Sequence, residues 1–290
     1  MNFSTWLEDP GWVDNTMARI QAQLEMQGYM SGITLESITK GPTHRAPRIV
    51  LLGVEKVGKS TFAAGADNPI FIPIAREEGI DDLDVASFPV ANTLQDVKDS
   101  LRVLFEENHD YKTVVIDSSS ALDPIITAQA VLDEGVESSA KLGGGYGRQY
   151  DTILLLWEEL QGCMDALRNS KNMSCIMIGH VKVGSFDDPL VDSYSRYQWD
   201  IAKKVDAQLS RWADSILFAN KPVIVKKEDG GFKTKSRGIS AGRNVLFTQG
   251  MPGHPGGGRG VYGRLPVEID LSWQAFKDAV INTAQNEKEF

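Results

Sequence analysis

Residues 48–60 read RIVLLGVEKVGKS, and no other stretch constrains the chain so strongly. After Arg48 the run has no polar alternation, the pattern of a strand buried on both faces in a parallel sheet. It leads directly into G-x-x-x-x-G-K-[ST], a loop that follows a strand and opens a helix. Gly53 and Gly58 let the backbone turn, so that N–H groups along Val54, Glu55, Lys56 and Val57 point inward at an anion. The helix beginning near Lys59 adds its positive end. These residue types fit a nucleoside triphosphate. Lys59 is placed to reach the β- and γ-phosphates, Ser60 to hold Mg²⁺ and Thr61 to contact the α-phosphate.

The rest of the chain alternates strand and helix signals. Residues 68–75, 111–117, 174–180 and 214–220 read as strands, and 93–107, 148–169 and 200–212 as helices. Leu94, Val97, Leu101 and Leu104 share one helical side, as do Ile153, Leu156, Leu160, Met164 and Leu167. Beyond residue 220, VIVKKEDGGFKTK reads as a β-hairpin around Gly-Gly, with lysines along its length. RNVLFT and LPVEIDL add strands before a short helix over 272–283. Residues 250–263 hold seven glycines and two prolines and read as a flexible loop. The expected fold is α/β, a mostly parallel doubly wound sheet extended by antiparallel C-terminal strands. Residues 41–290 form that domain. Residues 1–40 read as an arm and entry segment, with a helix over 16–27 whose stripe of Met17, Ile20 and Leu24 must bury against its own domain or a neighbouring subunit.

Three further positions fit hydrolysis of a phosphoanhydride. Asp117 ends the apolar strand TVVID, where a carboxylate beside the loop holds Mg²⁺ through water. Glu77 follows the second strand and is the candidate to polarise the attacking water. His180 ends CIMIGH, where a polar tip faces the γ-phosphate and can sense nucleotide state. Asn220-Lys221-Pro222-Val223 lacks the Asp of a guanine-reading motif, which favours ATP.

With these motifs in order, PRIVLLGVEKVGKSTFAAGADNPIFIPIAREEGIDDLDV, YKTVVIDSSSALDP, GGGYGRQY, SCIMIGHVKV and the LP-V-E-I-DLSW ending resemble the phage-encoded RecA-like AAA-domain ATPases of single-strand annealing and recombination. The resemblance covers about 35–285. It implies a RecA-like P-loop fold, ATP and Mg²⁺, self-assembly into a ring or filament, and single-stranded DNA as partner, with a single-strand-binding protein as a further partner. On the family's pattern Gly53, Gly58, Lys59, Ser60 and Thr61 match the Walker A motif, Asp117 matches Walker B, and Glu77 and His180 match its acidic and strand-end positions. The chain departs from it at Arg76, where the family usually has Thr. It also lacks the usual Lys-Asn-Arg run, leaving Arg259 and Arg264 as candidates for a cation acting on a neighbour's nucleotide.

The resemblance also implies two DNA-holding loops, which by chain order correspond to about 134–147 and 181–199. The first offers Lys141 and Tyr146, the second Lys182, Phe186, Arg196 and Tyr197, with Tyr194 and Trp199 nearby. Aromatics interleaved with cations suit base stacking and phosphate contact, though acidic neighbours and core packing compete for the same residues. The net charge of −9 argues against a protein that coats nucleic acid with its whole surface, and leaves local basic patches. Cys163 and Cys175 have apolar neighbours and read as free thiols. With no signal sequence or membrane-length apolar run, the expected home is the cytoplasm. The rival functions are a ring helicase or translocating motor, and an assembly protein that uses ATP with little turnover.

Overall fold

The computed structural model describes residues 34–41, 43, 45–75, 77, 79–144, 149–228, 235–240 and 242–286, with backbone alone at 149, 223–228 and 235–240. The chain divides into two units, 1–44 and 45–290. In the first, the described residues form a 3-10 turn, Leu35–Ser37, in which the Ser37 hydroxyl donates to the Thr34 carbonyl at 2.6 Å. The helix expected over 16–27 lies outside the described residues.

In the second unit, strands in chain order are β1 (Arg48–Gly53), β2 (Pro69–Pro73), β3 (Ala86–Ser87), β4 (Thr113–Asp117), β5 (Ser174–Phe186), β6 (Tyr194–Trp199), β7 (Ser215–Asn220), β8 (Val223–Glu228), β9 (Lys235–Ser240), β10 (Val245–Phe247), β11 (Gly257–Gly258) and β12 (Glu268–Asp270). The helices are α1 (Lys59–Ala64), α2 (Leu94–Glu106), α3 (Ser119–Asp133), α4 (Gln149–Lys171), α5 (Lys203–Trp212) and α6 (Trp273–Asn286). The main sheet runs β12-β10-β7-β1-β5-β4-β2-β3, with β11 on β7 and β6 on β5. Its centre is parallel from β7 through β3, and β10, β11 and β12 extend it antiparallel. This is the expected mostly parallel α/β sheet with an antiparallel extension.

The unbroken apolar run of β1 follows from burial on both faces. Val50 and Leu52 join a core with Leu94, Leu101, Trp157 and Leu160 from α2 and α4. Ile49 and Leu51 point the other way, to Phe62, Trp273 and Phe276 of α1 and α6. Helix α2 starts at a capping box: Thr93 Oγ1 accepts from the Asp96 amide at 3.1 Å, and the Asp96 carboxylate accepts from the Thr93 amide at 2.9 Å. The four leucine and valine positions expected to face inward on α2 are all buried. On α4 Leu156 is only half-buried, and Trp157 takes the core position beside it.

Three segments differ from the sequence reading. Helix α3 was not anticipated, because Pro124 lies inside it. The missing amide falls in the second turn and forfeits a single bond to Ser120, a loss that the buried face of Leu122, Ile126 and Ala130 offsets. The expected loop over 181–199 is instead an antiparallel hairpin: β5 continues past the sheet edge and pairs with β6 from Val181↔Trp199 to Phe186↔Tyr194. The expected flexible loop over 250–263 is also structured. Gly257 and Gly258 pair with Ile216 and Ser215 of β7, and a Cβ on Gly258 would lie 2.5 Å from Tyr262 Cβ. Glycine there serves close backbone approach. Among the described residues no helix is long and apolar enough to cross a membrane.

Candidate functional site

The phosphate loop leaves β1 at Gly53 and enters α1 at Lys59. Gly53 lies against β7, where a Cβ would sit 2.5 Å from the Ala219 carbonyl oxygen. Gly58 holds φ +107°, a backbone that side chains rarely adopt. Val57 is buried beneath the loop. The Lys59 ammonium, itself buried, donates to the Gly53 carbonyl at 3.1 Å and the Val54 carbonyl at 3.0 Å. Burial pulls its pKa down, opposed by the charges of Asp117, Glu77 and Glu55.

The sheet order puts the remaining groups beside this loop. β5 lies between β1 and β4, and where it leaves the main sheet it carries His180 into the middle of the site, opposite Gly53 in register. β4 ends at Asp117, which pairs in register with Ile178 and Pro73. Ser60 Oγ donates to Asp117 Oδ2 at 2.6 Å. Burial pushes the Asp117 carboxyl above its ordinary value, and the Glu77 charge adds to this against the Ser60 hydrogen bond. Glu77 follows β2. Its Oε1 accepts from Ser118 Oγ at 2.6 Å and lies 3.0 Å from His180 Nε2. The His180 hydrogen bond holds the Glu77 carboxyl below its ordinary value, with Ser118 assisting against burial. Arg76 and Glu78 lie outside the described residues.

The Ser60 hydroxyl on the buried Asp117 carboxylate, beside the loop between β1 and α1, fits a hard cation. Ser60 and Asp117 are the residues that would hold Mg²⁺. Among the described residues no group of three or more His, Cys, Asp or Glu side chains forms a protein cage for a metal. His180 Nδ1 is buried without a hydrogen-bond partner, an unmet polar atom at the centre of the site.

The sequence reading named Asp117, Glu77 and His180 but not the serines that fix them. Ser118 caps α3 by accepting from the Ala121 amide, and Ser120 Oγ accepts from the His180 amide at 3.0 Å. Ser119 donates to the Ile178 carbonyl at 2.8 Å and accepts from Trp199 Nε1 at 3.2 Å. The signal was present as three consecutive serines after a buried strand, a helix-start pattern.

The other candidates are dispersed. Arg259 lies by the opposite sheet edge, next to Ser215 at the start of β7. Its guanidinium donates to the carbonyls of Arg211, Trp212 and Ala213 at 2.6–2.7 Å, closing the C-terminal end of α5. Arg264 ends an exposed 3-10 turn, Gly260–Arg264. Lys141 pairs with Glu137, and Leu142 beside it is fully buried, so the segment over 134–144 is anchored. Tyr146 lies outside the described residues. On the β5–β6 hairpin, Lys182 pairs with Asp200 at 2.8 Å and the Tyr197 ring packs 5.2 Å from Phe218. Phe186, Tyr194 and Arg196 cluster at its end, the Arg196 guanidinium 4.5 Å over the Phe186 ring. They line a cavity of about 450 Å³ with Met251 and His254.

The family model described as AAA domain matches residues 45–260. No curated protein matches the chain. Among solved structures, the RadB recombinase is similar at 12% identity over 70% of this chain and 89% of that one, with a TM-score of 0.37. A match that spans the phosphate loop, Glu77, Asp117 and His180, and well over half of the sequence, shows that the chain belongs to the AAA domain family.

Proposed function

We propose that the protein is a RecA-like, Mg²⁺-dependent ATPase whose turnover is coupled to single-stranded DNA, working in phage recombination, annealing or replication and assembling into a ring or filament. The observation that carries the reading is the meeting of Lys59, Ser60, Asp117, Glu77 and His180 at the ends of four neighbouring strands.

Each residue has a definite task. Lys59 trades its two loop carbonyls for phosphate oxygens. Ser60 and Asp117 are the residues that would hold Mg²⁺, which would supply charge neutralisation on the phosphates and a counter-charge for the Asp117 carboxylate that burial disfavours. Glu77 is kept ionised, and both its hydrogen bonds fall on Oε1. Oε2 orients a water and takes its proton. His180 senses this geometry and passes it on through the backbone: its carbonyl accepts from the Asp200 amide at 2.9 Å, and β5 continues from it into the hairpin. At the hairpin's end Phe186, Tyr194 and Arg196 offer stacking and a cation to single-stranded DNA. Arg259 and Arg264 are the candidates for a cation acting on a neighbour's nucleotide; in the single chain the Arg259 guanidinium also closes the C-terminal end of α5.

The test is ATP hydrolysis with and without single-stranded DNA, with Lys59→Ala as control. The expected result is turnover that DNA stimulates and the substitution abolishes. Turnover indifferent to DNA, with nucleotide-dependent assembly, would replace this reading with that of an assembly protein.

A further inference from the structure

The phosphate loop is held from outside by a residue of the antiparallel extension. Asn244, one residue before β10, donates its side-chain amide to the Val57 carbonyl at 2.7 Å. Its own carbonyl accepts from the Leu271 amide, just beyond β12, at 3.5 Å. Leu271 in turn lies over the loop, its Cδ2 3.7 Å from where a Gly58 Cβ would be.

The chemistry of this bond follows from the planarity of the peptide. Val57 C=O and Gly58 N–H belong to one trans peptide group and point in opposite directions. Drawing the carbonyl outward to Asn244 turns the Gly58 amide inward, toward the space the loop encloses. Gly58 has φ +107° and no Cβ, so no side chain of its own opposes a flip of this peptide. A flip would replace an inward donor with an inward carbonyl oxygen, which repels phosphate.

We infer that Asn244 is a positioning residue for the nucleotide: its hydrogen bond to Val57 fixes the Gly58 amide in the phosphate-binding orientation. The inference rests on the reading of residues 53–61 as a nucleotide site. It assigns the antiparallel extension a part in that site, with β10 and β12 supplying the support from which the loop is braced.

The experiment measures equilibrium binding of a fluorescent ATP analogue, its competition by inorganic tripolyphosphate and by adenosine, and the thermal midpoint of the nucleotide-free protein. It uses wild type, Asn244→Leu and Asn244→Ser. Asn244→Leu keeps side-chain size and removes the donor. It is expected to weaken ATP and tripolyphosphate about three- to tenfold, the range for one lost hydrogen bond, to leave adenosine competition at its wild-type value, and to lower the thermal midpoint by no more than about 2–4 °C. Asn244→Ser, which retains a shorter donor, is expected to fall between. Equal weakening of adenosine and tripolyphosphate, or wild-type binding by both variants, would overturn the inference while leaving the nucleotide site standing. If Asn244→Leu does not fold, Asn244→Ser decides on the same criterion. Absence of ATP binding in the wild type would overturn both the site and the inference.

Discussion

Asp117 and Glu77 are neighbouring carboxyls with opposite displacements, and the difference separates their tasks. Burial raises Asp117, while the hydrogen bond from His180 lowers Glu77. A group raised in the folded state stabilises most below its unfolded pKa, and that stabilisation is lost as pH rises through its folded value. Asp117 therefore penalises the nucleotide-free protein at neutral pH. Glu77 contributes above its unfolded pKa and loses its contribution as pH falls through its folded value. Asp117→Asn is expected to raise the thermal midpoint of the nucleotide-free protein at pH 8 and to do so much less at pH 4. An equal change at both would count against the assignment. The glycines, Lys59 and Ser60 were readable because the loop's chemistry demands fixed residue types at fixed spacing. Ser118 was readable as a helix start but not as the partner of Glu77, and Asn244 not at all, since each acts on the site through a hydrogen bond to a group far away in sequence. Glu77 is 41 residues from Ser118, and Val57 is 187 from Asn244.

Elements place these residues, and β5 does most of it. Gly179, between Ile178 and His180, has no room for a side chain: a Cβ would lie 2.4 Å from Trp199 Nε1 and 2.8 Å from Leu52 Cδ2. Gly179→Ala is expected to destabilise the fold by about 1–3 kcal/mol, as overpacking does. It should also displace His180 from Glu77, seen as loss of hydrolysis in excess of loss of nucleotide binding. Urea unfolding and a binding isotherm separate the two effects. At the far end of the same strand, Phe186→Ala is expected to cost about 1–3 kcal/mol of single-stranded DNA affinity, the range for one lost stacking platform. Unchanged affinity in an anisotropy titration would remove the hairpin from the DNA surface. Periodicity made α2 and the parallel strands legible. It gave no sign that β5 runs on into a hairpin, because residues 181–199 mix aromatics, charges and glycine without clean alternation. It missed α3 because Pro124 masks a helix that tertiary burial supports.

At the scale of the molecule, the edge opposite the site is tied together by charge. Arg48 and Arg168 converge on Asp214 at 3.0 Å and 2.9 Å, with side chains 13%, 11% and 13% exposed. Burial pushes Asp214 up, yet hydrogen bonds and charge from Arg48, with the charge of Arg168, outweigh it and hold the carboxyl below its ordinary value. The network joins the starts of β1 and β7 to α4, and Arg259 approaches it at 3.7 Å from the glycine-rich segment. Asp214→Ala would leave the largely buried Arg168 guanidinium without its carboxylate and Arg48 with Asp165 alone, with an expected loss of up to about 3–5 kcal/mol. The stabilisation should fade as pH falls through the folded pKa of Asp214, which chemical denaturation across pH 3–7 measures. Overall architecture was legible from strand and helix alternation. The ordering of the 250–263 segment was not, because glycines that permit flexibility also permit the close backbone approach seen at Gly258.

In the proposed hydrolytic site Glu77 activates water while Lys59, Ser60 and Asp117 hold the nucleotide. The most direct measurement is single-turnover hydrolysis by Glu77→Gln alongside its ATP affinity. The account predicts wild-type-like binding with hydrolysis slowed at least about a hundredfold, the scale of a lost general base. Hydrolysis within a few-fold of wild type would contradict it and move the activating role to another residue.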